Sequence, residues 1–350
     1  MTILRVSSEA EPGIRRIRPG GSSAYRDDRG RPVTNPRTLD RIERLAIPPA
    51  WTDVWICRSP RGHIQATGRD ARGRKQYRYH PEWRSEQDRT KHRRMVRFAQ
   101  RLPSLRATAR RHLRMGGLPR EKALATAVLI LDRTAIRIGS EEYARSNGTY
   151  GLATMRSKHV TVDDDTVALD FTGKGGKRHQ LEVTDAAIAR AIEAMDALPG
   201  HEVLSYRDED GNVCDVSSGD INEYIKDVAG DEFSSKDFRT WAATVSTAVA
   251  LDLIGPKESE RGRMRAVRDA VKAVALLIGN TPTVCRANYI DPRVIDRYME
   301  GVTLSRPGPR VREPRRGLRM HEELTLALLR RRPRRAGRAR AARREFPAGA

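Results

Sequence analysis

The sequence predicts an α+β protein, with a small β-rich N-terminal domain followed by a mainly α-helical domain that carries a three-stranded antiparallel sheet. Three observations point there. Residues 1 to about 95 are rich in Gly, Pro and Arg, with short apolar runs that alternate as strands do. From about Gln87 the apolar spacing turns helical. The segment KHVTVDDDTVALDFTGKGGKRHQLEV, starting at Lys158, alternates over three stretches separated by two turns. With 350 residues there is chain enough for two cores.

Taken in order, WTDVWIC (51–57) alternates as a strand, PRG makes a turn, and HIQATG (63–68) follows as a second strand. The stretch GRDARGRKQYRYH (68–80) interleaves Arg74, Lys75 and Gln76 with Tyr77 and Tyr79. That mixture suits a loop gripping phosphates and packing on sugars or bases, and it equally suits a solvated hairpin with two half-buried tyrosines. KHRRMVRFAQRLPSLRATARRHLRM opens the helical part. In the next helix Ala123, Ala127, Leu129, Ile130 and Ile136 crowd one face, charges gather near Arg133, Arg137 and Glu141, and Pro119 and Gly139 mark the ends. Strands are expected near 159–162, 167–171 and 179–183, joined by an acidic turn at Asp163, Asp164 and Asp165 and by Gly173, Lys174, Gly175 and Gly176. Lys174 therefore falls at a hairpin tip. After Thr184 the pattern is mostly helical to about Met299, with a turn near Gly211 and a loop near Gly255. The resulting division is 1–95, 96–305 and a tail, 306–350.

Sixty-seven Lys and Arg against 45 Asp and Glu give a formal net charge of +22. Such an excess attracts phosphate polyanions, nucleic acid ahead of anionic membrane. Half of it lies in the tail, where 15 Arg face four Glu; apart from the helical spacing of HEELTLALLRR from His321, the tail reads as disordered and sequence-blind toward DNA. No window approaches the roughly 18 apolar residues a membrane span needs. The N-terminus shows no apolar signal core, so a cytoplasmic place is expected. Cys57, Cys214 and Cys285 are too scattered for a disulfide framework or zinc site, and the eight His form no HxxH or HExxH pair, so no metal is expected.

Three pieces of the second half stand out: FSSKDFRTWAATVSTAVAL from Phe233, GNTPTVCRANYIDPRVIDRY from Gly279, and the hairpin GKGGK. Each alone is weak. In this order, after the helix ending AIRIG and with IPPAW and GRDARGRKQY before it, they resemble the type IB DNA topoisomerases, specifically the small poxvirus-like enzymes and their bacterial relatives. The resemblance covers roughly residues 15 to 300 and leaves out the tail after Ser305.

The resemblance implies that Tyr289 attacks a DNA phosphodiester, forming a 3′-phosphotyrosyl enzyme and releasing a 5′-hydroxyl. Arg137 and Arg239 would stabilise the extra charge on the non-bridging oxygens. Lys174 would protonate the leaving 5′-oxygen from its mobile tip, with Lys177 the nearby competitor and Lys236 a possible accessory general acid. Asn280 falls where poxvirus-type enzymes carry a histidine; an amide N–H still donates a hydrogen bond but does not titrate, and Asn280 also reads as a helix cap. Gln76 and Tyr77 match residues contacting bases and backbone, so the N-terminal domain is expected across the duplex from the catalytic one. The implied partner is double-stranded DNA, clamped by a monomer in the bacterial nucleoid. No cofactor is implied: arginines supply the charge a metal ion would bring, and no nucleotide loop GxxxxGK[ST] is present. A tyrosine recombinase and a non-enzymatic basic DNA-binding protein are the competing readings.

Overall fold

The computed structural model describes residues 4–17, 23–305 and 317–330. The chain divides into two compact units, Met1–Arg93 and Arg94–Ala350, and the division falls inside a long helix.

The first unit is built on a five-stranded antiparallel sheet of order β2-β1-β3-β4-β5, from β1 (Gly13–Ile17), β2 (Ala24–Arg26), β3 (Thr52–Cys57), β4 (Ile64–Arg69) and β5 (Lys75–Tyr79). Alternation puts Val54, Ile56 and Ala66 into a small core with Ile14 and with Ile42 of helix α1 (Pro36–Arg44). Asn35 starts α1 by accepting from Thr38 N at 3.2 Å, and Pro36 fits the first turn because its missing N–H is not needed there. The other face of β3 is closed by Trp55, whose indole N–H donates to Glu11 O at 3.0 Å. The stretch 68–80 is the β4–β5 hairpin, and β5 is an edge strand.

The second unit holds most of α2 (Pro81–Leu113), then α3 (Arg120–Thr134), α4 (Glu141–Asn147), the sheet β6 (Val160–Asp163), β7 (Thr166–Gly173), β8 (Lys177–Thr184), and α5 (Ala186–Asp196). There follow β9 (Ser205–Arg207), β10 (Val213–Asp215), α6 (Ser218–Ala229), α7 (Ser235–Ile254), α8 (Glu260–Leu277), α9 (Pro282–Asn288), α10 (Pro292–Met299) and α11 (Met320–Arg330). Its sheet has order β6-β7-β8, with Val167, Leu169, Phe171 and Val183 buried on one face.

Four local expectations are corrected. Helix α3 is not one-faced: every residue from Ala123 to Leu131 is buried, because α5, α6, α7 and β8 surround it. It also ends before Gly139, since Ala135 takes a left-handed conformation at φ 52°. Arg137 therefore lies on the segment after the helix, where its carbonyl and that of Ile138 accept from Leu152 N (2.9 Å) and Ala153 N (2.7 Å). The turn near Gly211 joins two antiparallel three-residue strands, β9 and β10, too short to show a period in the sequence.

The fourth correction concerns the tail. Helix α11 packs on α7 and α10 and buries Leu326, Leu328 and Leu329, so the folded part reaches past Ser305. The disorder expected for 306–316 and 331–350 lies outside the described residues. Among the described residues no helix is long and apolar enough to cross a membrane, and no group of three or more His, Cys, Asp or Glu is placed to hold a metal ion.

Candidate active site

The motif DFRTW opens α7, and its residues have separate tasks. Asp237 caps the helix by accepting from Ser234 N at 2.9 Å, and it is wholly buried against Arg94 Nη2 at 2.7 Å. Phe238 packs edge-on to Phe98, ring centroids 5.1 Å apart. Trp241 donates to Glu322 Oε1 of α11 at 3.3 Å. Arg239, buried in the same turns of the helix, is held at two points: Nη1 donates to Ala135 O and Nη2 to Ile278 O at 2.7 Å. A guanidinium fork anchored on two carbonyls has one orientation. Burial, and then the like charge of Arg137, lower its pKa to about 10, so it stays cationic at neutral pH.

Tyr289 ends α9, its N–H donating to Cys285 O at 2.9 Å, and its ring lies under the Arg239 guanidinium at 5.3 Å from centroid to Cζ. Its backbone is tied to α7 through Thr244, whose hydroxyl contacts Tyr289 O at 3.3 Å and accepts from Asp291 N at 3.1 Å. Asp291 then caps α10 and pairs with Arg293 at 2.6 Å. Thus NYIDP is a nucleophile-sized side chain between two short helices, each held on a buried polar contact. Burial pushes the Tyr289 phenol up, but the charges of Arg239 and Arg137 outweigh it and the net shift is downward. More phenolate is therefore present at a given pH than for a tyrosine in water.

Arg137 Nη2 donates to Asn280 Oδ1 at 2.6 Å. Asn280 is not the cap of α9: that place belongs to Thr281, whose side chain accepts from Val284 N at 3.3 Å. Three buried N–H groups, Arg137 Nε, Arg239 Nε and Asn280 Nδ2, find no acceptor among the described residues. Unsatisfied buried donors are costly, and their grouping on two arginines and an adjoining amide suits an anion with several oxygens. Lys174 sits at the exposed β7–β8 tip, where Gly175 and Gly176 turn the chain at φ 78° and 73°. Lys236 is exposed at the start of α7. Lys177 instead donates to Asn280 O at 3.2 Å.

A cleft of about 370 Å³ brings Arg137, Lys174, Lys236, Arg239 and Tyr289 onto one wall-to-wall surface, and Asn280 joins through Arg137. Sequence reasoning missed Tyr150, which also lines it. That ring packs against His159, centroids 4.3 Å apart and planes tilted by 52°, and has Arg156 and Lys158 over it at 5.7 and 6.0 Å. Nothing in its local spacing marks it, since those partners converge only in the fold.

The residues singled out in the first unit separate by strand parity. Lys75, Tyr77 and Tyr79 share the outer face of edge strand β5, with the two tyrosines 40% and 38% exposed, stacked at 5.8 Å, and Lys75 Nζ 5.6 Å from the Tyr77 ring. Lys75 is also paired with Glu9 at 2.6 Å. Gln76 and Arg74 turn instead to Asp70, at 3.0 and 2.7 Å, and the Arg74 contact is the main reason its carboxyl falls to about 2. The first three form a cationic aromatic platform, while the other two stiffen the hairpin.

Comparison with known proteins agrees with this arrangement. Residues 80–303 match the catalytic core of eukaryotic DNA topoisomerase I, and residues 23–70 match the N-terminal domain of bacterial DNA topoisomerase IB. DNA topoisomerase 1B of Acanthamoeba polyphaga mimivirus is 31% identical over 281 residues, covering 78% of this chain and 83% of the relative. DNA topoisomerase 1B of vaccinia virus (strain Copenhagen) is 21% identical over 265 residues, covering 73% and 80%. DNA topoisomerase 1 of Drosophila melanogaster is 24% identical over 214 residues, 59% of this chain and 21% of that protein. The catalytic-core match over residues 80–303, the bacterial-type match over residues 23–70 and the 31% identity to the mimivirus enzyme place the chain in the type IB DNA topoisomerase family, on its poxvirus-like and bacterial side.

Proposed function

We propose that Tyr289 is the nucleophile that breaks one strand of duplex DNA and later restores it. Its phenolate oxygen bonds to phosphorus, the bond from phosphorus to the 5′-oxygen breaks, and that oxygen leaves as a hydroxyl after taking a proton from Lys174, with Lys236 in support. The link formed is a 3′-phosphotyrosine, an ester whose phenolic side leaves more readily than an alkoxide, so attack by the 5′-hydroxyl reverses the step without ATP. Arg137, Arg239 and Asn280 take the non-bridging oxygens, whose charge grows in the transition state; always-charged guanidiniums suit that purpose. Between cleavage and religation the free end rotates and supercoils of either sign relax. We infer further that one copy of the chain acts on duplex DNA in the bacterial nucleoid, with Lys75, Tyr77 and Tyr79 as contacts of the first unit.

The observation that carries this reading is the Arg239 guanidinium 5.3 Å over the Tyr289 ring, beside buried N–H groups that lack acceptors among the described residues. Its test is relaxation of negatively supercoiled plasmid by the wild type and Tyr289→Phe, with EDTA present and ATP absent. Relaxation by the wild type alone is expected. Activity surviving in Tyr289→Phe, or lost on chelation, would overturn it.

A further inference from the structure

His179 belongs to none of the roles above, yet it sits where three parts of the site meet. On β8 it lies opposite Phe171 of β7, and the two rings stack at 5.1 Å with 14° between their planes. Its edges meet two glycines from separate segments. A Cβ at Gly173 would stand 2.7 Å from His179 Cδ2, and one at Gly279 would stand 2.3 Å from Cε1, distances that real Cβ atoms do not adopt. The imidazole is therefore wedged between the base of the Lys174 hairpin and the turn that carries Asn280. Lys177, two residues before it, reinforces the seam by donating to Asn280 O at 3.2 Å. That same turn is the one Arg239 grips at Ile278 O and Arg137 grips at Asn280 Oδ1.

We propose that His179 is a positioning residue, a joint that docks the Lys174 hairpin onto the turn at Gly279 and Asn280 so that the proton donor and the phosphate ligands keep one geometry. The inference rests on the reading of Lys174 and Asn280 given above. It has a pH signature. The charged groups bearing on the imidazole are Arg239 from α7, Arg137 from the segment after α3 and Lys177 from β8, all cations. Burial first, and then these charges, lower its pKa from the ordinary 6.5. A group whose docked pKa lies below its undocked pKa favours docking fully above the undocked value and loses it as pH falls below 6.5. Protonation would place a fourth positive charge in the seam and open it.

The test is plasmid relaxation by the full chain over about pH 5.5 to 8, with plasmid affinity measured alongside, for the wild type, His179→Ala, His179→Phe and His179→Gln. At pH 8 we expect His179→Ala to lose about tenfold or more in rate at unchanged affinity, the scale set by small misplacements of catalytic groups. His179→Phe keeps an aromatic ring in the wedge and is expected to restore most of the rate; its ratio to wild type should rise as pH falls below 6.5. His179→Gln, of similar length but without a ring or titration, should fall between them. Wild-type rates in His179→Ala, or ratios to wild type that do not change with pH in both His179→Phe and His179→Gln, would overturn the joint while leaving the reading of Tyr289 intact. Failure of the wild type itself to relax plasmid would overturn both.

Discussion

At the scale of single residues, Arg239 connects structure to reactivity. Its two carbonyl anchors fix the guanidinium, and the fixed charge keeps the Tyr289 phenol below its ordinary pKa against the opposing effect of burial. Removing the charge leaves burial unopposed except by Arg137. In Arg239→Ala the phenol is therefore expected to titrate higher, read as the ultraviolet difference titration against the matching Tyr289→Phe variant. Relaxation should fall by about 100-fold or more, the usual scale for losing one preorganised donor to a developing oxyanion, and its rise with pH should move to higher pH. An unmoved phenol titration would show that Arg239 acts elsewhere. Arg239→Lys is not a neutral change, because a single ammonium cannot span the carbonyls of Ala135 and Ile278. Tyr289, Arg239 and Lys174 were legible as members of ordered motifs. Thr244, Tyr150 and His179 were not, because each gains its meaning from partners between 6 and 100 residues away in sequence, and no local periodicity encodes them.

At the scale of elements, the sheet and the main helices followed from period and turn chemistry, whereas helix ends and the packing of α11 did not. The end of α3 depends on Ala135 going left-handed, a position where the sequence shows no glycine. For α11 the apolar spacing was visible inside an arginine-rich run whose composition argued for disorder. What decides the matter is a buried ion cluster: Arg106 of α2 pairs with Asp132 of α3 and with Glu322 of α11, both at 2.7 Å, and Glu322 also accepts from Trp241 of α7. Removing Glu322 leaves Arg106 with Asp132 alone and Trp241 Nε1 without its acceptor, so Glu322→Ala is expected to cost about 1.5 to 3 kcal/mol, read from urea melts at neutral pH. The pH dependence follows from the same contacts. Burial raises the Glu322 pKa, but Arg106 and Arg319 bring it below the ordinary 4.5. A depressed carboxylate stabilises the fold above its unfolded pKa and ceases to do so as pH falls through its folded value, so the gap between wild type and variant should shrink below about pH 4. A gap that persists there would assign the loss to packing instead of charge.

At the scale of the whole molecule, the question is how the +22 charge is divided between holding DNA and holding the fold. Within the described residues, many arginines are engaged by carboxylates, including Arg106, Arg110, Arg120 and Arg293, and so contribute structure before they contribute attraction. The stretch after Arg330 differs in composition: residues 331–350 carry eight Arg against one Glu. Its affinity for DNA should come from counterion release, with the slope of log K against log salt changing by about 0.9 for each phosphate neutralised, so its eight arginines set a ceiling of about 7 on the change. The place of truncation matters. A chain ended at Ser305 loses α11 and with it Glu322 and three buried leucines, so weaker binding there would mix lost folding with lost charge. Ended at Arg330, the chain keeps α11 and the ion cluster and loses eight arginines. That truncation is expected to bind plasmid with a shallower salt dependence while relaxing it at nearly the full rate in dilute salt, where the folded arginines suffice. The check is binding and relaxation measured together across a salt series. Equal slopes for the two chains would mean that the terminal arginines do not reach the phosphates, and the attraction would then have to be carried entirely by the two folded units.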